Sequence, residues 1–411
     1  MHRIVRGIAF GAALAFAGSA GAQETVKVGA LLPLSGNAAS AGQQSKAAIE
    51  LAIEIVNGQH PDIKGMPATG MPNMKGAKLE LVVADHQGNP STGQQQALRL
   101  IQQEKVAALI GAYQSSVTFA ATQVAERYQV PWVVGDSVAA NITTRGFKHV
   151  FRVTPVASDF AKNYMEFFGG LKLPGGGAVK TLGIVFENTD YGTSIADTLR
   201  KYAKERNLEI VADVAYNANS ADVSSQVLQL KEKKPDALIF VSYTADAILY
   251  VKTMQNLGYK PPIMLGDDSG FSDPTFIQNV GKSAQGVLNR SAWDIGKPGS
   301  VTEKINAAFK KKTNYDLDDT SGRNMQAMFA LADAINRAGS GKPEAITAAL
   351  AKTDLKPDQL MMGYRGVKFD ETGQNTEAAT YLIQLQGTEY VAIWPEKSAT
   401  KPLQLPYKGW E

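Results

Sequence analysis

The stretch Val106–Thr118 (VAALIGAYQSSVT) constrains the fold more than any other. Val106 to Ile110 is an unbroken apolar run of the length of a strand buried on both faces. It breaks into Gly111-Ala112-Tyr113-Gln114-Ser115-Ser116, and an apolar helical pattern resumes at Phe119. A strand that turns through small residues into a helix leaves backbone N–H groups at the strand's carboxyl end, here with the hydroxyls of Ser115 and Ser116 beside them. That combination suits a carboxylate or another anion. For one isolated instance, a serine capping the helix is the simpler explanation. What shifts the balance is that the chain repeats the design.

Strands are expected at Val26–Leu34, Lys78–Ala84, the Val106 run and Pro131–Val134. Helical spacing fills Gly42–Val56, Gln94–Gln103 and a segment ending near Tyr128. Phe151-Arg152-Val153-Thr154-Pro155 interrupts that rhythm, and a second series follows with strands at Thr181–Phe186, Ile210–Val214, Ala237–Val241 and Pro262–Leu265. The second series echoes the first, since Ala108–Tyr113 parallels Ala237–Tyr243. Helices around Val301–Lys312, Gly322–Ala338 and Glu344–Lys352 come next, then strands at Gly366–Asp370, Ala379–Leu385 and Tyr390–Trp394. Such alternation means an α/β fold of two doubly wound parallel-sheet lobes with a cleft between them as the default ligand site. The Pro/Gly/Met-rich segment 60–76 has neither period and reads as a surface loop.

With 411 residues, the chain exceeds one ordinary core and fits two domains. Arg3 and Arg6, an apolar run from Ile8 to Ala17 and Ala20-Gly21-Ala22 form a secretory signal peptide over residues 1–22. Removing it takes the formal charge from +3 to +1, with no basic stripe to favour nucleic acid. The absence of cysteine excludes disulfides, thiol catalysis and a lipidated cleavage site, so the expected location is the periplasm, free of the membrane.

Catalytic and metal motifs are incomplete. Gly135-Asp136-Ser137 starts like a serine-hydrolase elbow, but Ala139 replaces the last glycine. His60, His86 and His149 form no evident triad with it, so a serine hydrolase is the distant alternative. Gly339-Ser340-Gly341-Lys342 lacks the first glycine and the hydroxyl residue of a phosphate loop. Asp316, Asp318 and Asp319 lack the glycine and the terminal glutamate of a calcium loop. No cofactor and no metal are expected. Better placed are side chains just after strand ends: Ser115, Ser116, Asp136, Ser137, Tyr191, Tyr243, Asp267 and Asp268. Hydroxyls on one side and carboxylates on the other would suit a zwitterion.

These residues resemble the periplasmic ligand-binding proteins of leucine/isoleucine/valine-binding type. The resemblance spans the mature chain through Val28–Gly36, Asp85-x-x-x-Asn89-Pro90, Leu109-Ile110-Gly111, Thr144–Phe147 leading into Phe151-Arg152, and Asp190-Tyr191-Gly192. It implies three crossing segments, near Phe151–Pro155, Arg290–Trp293 and Gly373–Ala378, and hinge closure. Residues 23–152 and 293–375 would form one lobe, 153–292 and 376–411 the other. It further implies that Ser115 and nearby N–H groups hold a ligand carboxylate. Tyr113, Ser116 and the Asp136-Ser137-Val138 turn would lie close by, while Tyr191, Tyr243 and Thr244 close over the ligand. An ammonium would fall to Asp268, or to Asp267 beside it. Val138 stands where a threonine is frequent, Ala41 where an aromatic is frequent, and Asp136 where a small residue is usual; the 65–76 loop is also longer than the family's. The implied function is non-catalytic capture of a small polar ligand, foremost an amino acid, by a monomer that delivers it to the membrane permease of an ABC importer. An amide, an aromatic carboxylate or a sensing role are the alternatives.

Overall fold

The computed structural model describes residues 24–267 and 270–410. The expected signal peptide and Asp268 lie outside the described residues.

The first lobe is laid down by β1 (Thr25–Leu32), α1 (Ala39–Val56), β2 (Lys78–Asp85), α2 (Pro90–Gln102), β3 (Ala108–Gly111), α3 (Ser115–Tyr128), β4 (Trp132–Val134) and β5 (Val150–Arg152). Its five strands lie in the order β2-β1-β3-β4-β5, all parallel, with Val28 of β1 opposite Leu81 on one side and Ala108 on the other. Helices on both faces bury the inner strands, which is why β3 (ALIG) and β4 (WVV) are apolar throughout, whereas the edge strand β2 carries Lys78, Glu80 and Asp85. The second lobe follows with α4 (Ala157–Gly170), β6 (Thr181–Glu187), α5 (Asp190–Glu205), β7 (Glu209–Tyr216), α6 (Ser224–Lys233), β8 (Ala237–Val241), α7 (Thr244–Asn256), β9 (Met264–Asp267), α8 (Pro274–Val280) and β10 (Leu288–Ser291). The chain then returns to the first lobe through α9 (Val301–Thr313), α10 (Asp319–Ala338), α11 (Pro343–Leu350) and the short β11 (Asp354–Leu355) and β12 (Val367–Lys368). Met325, Met328, Phe329 and Ile335 of α10 pack into the core that holds Val28 and Ile110. The chain ends in β13 (Tyr381–Gln386) and β14 (Glu389–Trp394), which complete the second sheet in the order β14-β13-β10-β9-β8-β6-β7. These last two strands run antiparallel, β13 to β10 and β14 to β13, at the edge of an otherwise parallel sheet.

The three crossings lie after β5, after β10 and between β12 and β13, side by side. Arg152 Nε donates to Gln374 Oε1 at 2.6 Å, joining the first crossing to the third. Thr380 Oγ1 donates to Ser291 O at 3.1 Å, joining the third to the second.

The 60–76 segment corrects the surface-loop reading. Ile63, Met66, Met71 and Met74 are buried in the first lobe's core, and Asn73 N–H donates to Asn336 Oδ1 of α10 at 2.9 Å. The segment has no period because irregularly spaced methionines, rather than one face of a helix or strand, anchor it.

Candidate functional site

In both lobes, the carboxyl ends of the strands face a common cleft. At the end of β3, Gly111 adopts φ +123°, and a Cβ there would lie 2.1 Å from Leu31 O, so only glycine fits. Tyr113 follows at φ +80°, a conformation that costs a bulky residue about 1–3 kcal/mol and concentrates at functional sites. α3 starts at Ser115, with Gln114 in the cap position and no side-chain cap bond. Ser115 is thus not the cap. Its Oγ accepts from Ala139 N–H at 3.3 Å, tying α3 to the turn after β4. In that turn Ser137 Oγ donates to Tyr113 O at 2.8 Å and lies 2.6 Å from Thr118 Oγ1.

The second lobe supplies Tyr191, Tyr243 and Arg290. Glu187 at the end of β6 accepts from the N–H groups of Thr189 (2.8 Å) and Gly192 (2.7 Å), capping α5 and fixing Tyr191. A Cβ on Gly192 would sit 1.9 Å from Glu187 O, which accounts for the glycine of Asp190-Tyr191-Gly192. Burial pushes the Glu187 carboxyl above its ordinary range. Tyr243 stands at the N-cap position of α7 and packs between the other two tyrosines, 5.7 Å from the Tyr113 ring and 5.5 Å from the Tyr191 ring by centroid. The internal echo noted in the sequence thus places Tyr113 and Tyr243 against each other from opposite lobes.

A chain of buried charges runs beside these rings. Arg323 of α10 holds Asp136 Oδ1 at 2.6 Å and Asp319 Oδ2 at 3.0 Å. Asp319 Oδ2 lies 3.4 Å from Arg290 Nη1, and Arg290 Nε donates to Asp267 Oδ1 at 2.8 Å. The Arg290 guanidinium also stacks 3.8 Å above the Phe160 ring. Asp267 has further partners in Tyr164 Oη (3.0 Å) and Tyr191 Oη, which lies 2.8 Å from its backbone oxygen. Three carboxylates thus alternate with two guanidinium groups in a line of ion pairs buried away from water.

Tyr113, Ser115, Asp136, Ser137 and Val138 from one lobe and Tyr191, Tyr243 and Arg290 from the other enclose a cavity of about 10 Å³. The lobes touch on both rims. Ser40 Oγ donates to Asp273 Oδ1 at 2.8 Å on one side, and Asn141 Nδ2 donates to Asp190 Oδ1 at 2.8 Å on the other.

The remaining candidates lie apart from that cavity. Ser116 is half-buried, one residue further along α3. Thr244 Oγ1 donates to Asp273 Oδ2 at 3.2 Å. Asp267 is buried behind Arg290 and the two tyrosine hydroxyls rather than lining the space, because those three donors occupy its carboxylate. Arg290 was not among the residues expected to line the site. The signal for it was a pair of polar residues, Asn289-Arg290, following the apolar Val287-Leu288 in a central strand.

The other sequence motifs have structural explanations. His86 Nδ1 accepts from Gly88 N–H and Nε2 donates to Ala112 O at 2.7 Å, while His60 and His149 pair with Glu54 and Glu126. Gly339 ends α10 in the left-handed conformation, and Lys342 precedes Pro343, the first residue of α11. Asp318 caps α10, Asp316 holds Lys310, and Asp319 serves the two arginines.

Residues 25–389 match the family model described as periplasmic binding protein. Among curated proteins, Leu/Ile/Val-binding protein homolog 7 of Brucella suis is 31% identical over 97% of this chain and 98% of its own length. Homolog 8 of the same organism is 32% identical over the same shares. Among solved structures, the leucine-binding protein LivK of Thermotoga maritima superposes with a TM-score of 0.73 at 22% identity, covering 89% of this chain and 97% of that one. LivJ of Streptococcus pneumoniae in complex with isoleucine gives 0.75 at 22% identity, covering 89% and 98%. A solute-binding protein of R. palustris in complex with benzoate gives 0.74 at 20% identity, covering 90% and 95%. The chain therefore belongs to the periplasmic binding protein family, among the proteins of leucine/isoleucine/valine-binding type.

Proposed function

We propose that this protein is the substrate-binding component of an ABC-type importer, working in the periplasm after removal of residues 1–22 and handing its ligand to a membrane permease as a monomer. Its ligand is a small organic carboxylate, foremost an amino acid. The observation that carries this reading is the convergence of Ser115, Asp136 and Arg290 with three tyrosines at the strand ends of both lobes. The Ser115 hydroxyl, the first-turn N–H groups of α3 and the Arg290 guanidinium supply donors for a carboxylate. Asp136, the carboxylate lining the cavity, takes the ammonium. The resemblance puts this role on Asp268, which lies outside the described residues, or on Asp267, whose oxygens serve Arg290, Tyr164 and Tyr191.

A cavity of about 10 Å³ holds no more than one water, so the ligand enters as the lobes part and the tyrosines turn aside. Reclosure restores the Ser40–Asp273 and Asn141–Asp190 contacts and desolvates the ligand, a hinge mechanism. No catalysis is assigned. The Ser137 hydroxyl is engaged with Tyr113 O and Thr118, and each histidine of the mature chain has another partner.

A second reading, an aromatic carboxylate without an ammonium, is favoured by the run of tyrosine rings at 5.5–5.7 Å spacing, which offers aromatic faces to a planar ligand. A thermal-shift screen of the mature protein against all amino acids, their des-amino acids and a set of benzoates separates the two. A ligand at a thousandfold excess over its Kd stabilises by about 4 kcal/mol, a shift of several degrees. Hits confined to amino acids support the first reading, and hits confined to acids without an amine support the second. A panel without any hit would contradict both.

A further inference from the structure

A second space, of about 460 Å³, lies beside the crossing that follows β10 and falls within the size range of small-molecule sites. Trp293 and Asp294 of the crossing line it, the link between α9 and α10 forms the first lobe's wall, and the start of α8 with the β13–β14 hairpin forms the second lobe's. The ligand chemistry proposed above makes no use of this groove.

Its charge is of one sign. Asp294, Asp316, Asp318, Asp319 and Glu389 line it, and no lysine or arginine does so among the described residues. Asp316 is held by Lys310, and Asp319 by Arg290 and Arg323. Asp294, Asp318 and Glu389 have no cationic partner among the described residues. Among the described residues Asp294 accepts only the Gly296 N–H, at 2.7 Å, and Asp318 caps α10. Burial, with the neighbouring Asp273 and Asp319 carboxylates adding to it, pushes the Asp318 carboxyl up to about 6.

Aromatic surface faces the same space. Tyr381 Oη donates to Trp293 O at 2.5 Å and Tyr390 Oη to Phe271 O at 2.7 Å, so both rings are fixed by their polar ends. Trp293 and Tyr315 add to this surface, and Ile277, Ile295 and Leu317 provide an apolar lining. At the inner wall, Ser272 is only 8% exposed and its hydroxyl has no hydrogen-bond partner among the described residues.

Unpaired carboxylates beside fixed aromatic rings attract a cation through both charge and ring quadrupole, and they repel the anions that suit the interlobe cavity. The geometry points to a second ligand site in this groove, for an organic cation with an apolar body, such as a benzylic ammonium. It holds whichever carboxylate the cavity takes.

Titration calorimetry of the mature protein with benzyltrimethylammonium at low ionic strength tests it, alongside the double variant Asp294→Lys/Glu389→Lys. Both side chains are exposed, and a melting curve checks that the variant is folded. The expected result is saturable binding of one equivalent, weakened at least tenfold in the double variant and about threefold in Glu389→Gln. No saturable binding to the wild type would overturn the proposal. So would an affinity unchanged in both variants, which would place the cation elsewhere.

Discussion

Arg290 and Asp319 lie 3.4 Å apart, Nη1 to Oδ2, and belong to different lobes. Arg290 lies one residue before the end of β10 and lines the interlobe cavity, whereas Asp319 opens α10 and lines the groove beside the crossing. Asp319 also accepts from Ala292 N–H at 2.7 Å, so one carboxylate fixes the lobe, the crossing and the ligand-facing arginine together.

Removing that carboxylate leaves two buried guanidinium groups short of a counter-charge. Breaking a buried pair from one side costs about 3–5 kcal/mol, so Asp319→Ala should lose that much in urea unfolding, and Asp319→Asn, which keeps an acceptor, clearly less. A loss below about 1 kcal/mol would remove the structural role given to the charge chain.

The rim contacts make a second prediction. Ser40 and Asn141 are half-buried and reach across the cleft to Asp273 and Asp190. Each bond contributes about 1 kcal/mol net, so Ser40→Ala/Asn141→Ala should move the lobes toward the open arrangement without unfolding them. Small-angle scattering should show a larger radius of gyration for the double variant. An unchanged scattering curve would mean that the rims do not hold the cleft shut.

His86 gives a pH signature. Burial pushes its imidazole from 6.5 down to about 4. Between those values the unfolded chain takes up a proton that the folded protein does not. Stability therefore falls as pH drops from 6.5 to 4, by up to about 3 kcal/mol. Asp246 and Asp318, raised to about 6, act in the opposite sense, because their folded forms bind protons first. The contribution of His86 is therefore read as a difference. The stability of the wild type relative to His86→Gln should fall by up to about 3 kcal/mol between pH 7 and pH 4. A pH-independent difference would contradict the neutral, buried imidazole.

Met71 is fully buried within a segment that reads as an exposed loop. Met71→Ala should cost about 2–5 kcal/mol, as for other buried large-to-small changes, against less than 0.5 kcal/mol for a true surface position. Denaturant unfolding distinguishes the two.

How far the sequence reveals the molecule follows from where each signal arises. The strand, turn and helix around Val106–Thr118 are legible because burial on both faces demands continuous apolar strands and the turn demands Gly111. For the same reason Tyr113, Ser115, Asp136, Ser137, Val138, Tyr191 and Tyr243 can be placed near one another, since each follows a strand end. Arg290 is hidden because its place depends on Asp267 and Asp319, 23 and 29 residues away, and no local pattern encodes that pairing. The same pairing withdraws Asp267 from the ligand-facing role its position suggests. Segment 60–76 is misread because its anchors are spaced by tertiary packing, not by a helical or strand period.

The proposed ligand site holds a carboxylate between the lobes at Ser115. Isothermal titration of the mature protein with L-leucine, L-phenylalanine and benzoate, repeated on Ser115→Ala, tests it most directly. Saturable one-to-one binding of at least one of these probes is expected, weakened tenfold or more in the variant. Absence of binding by all three, or an affinity that Ser115→Ala leaves unchanged, would contradict it.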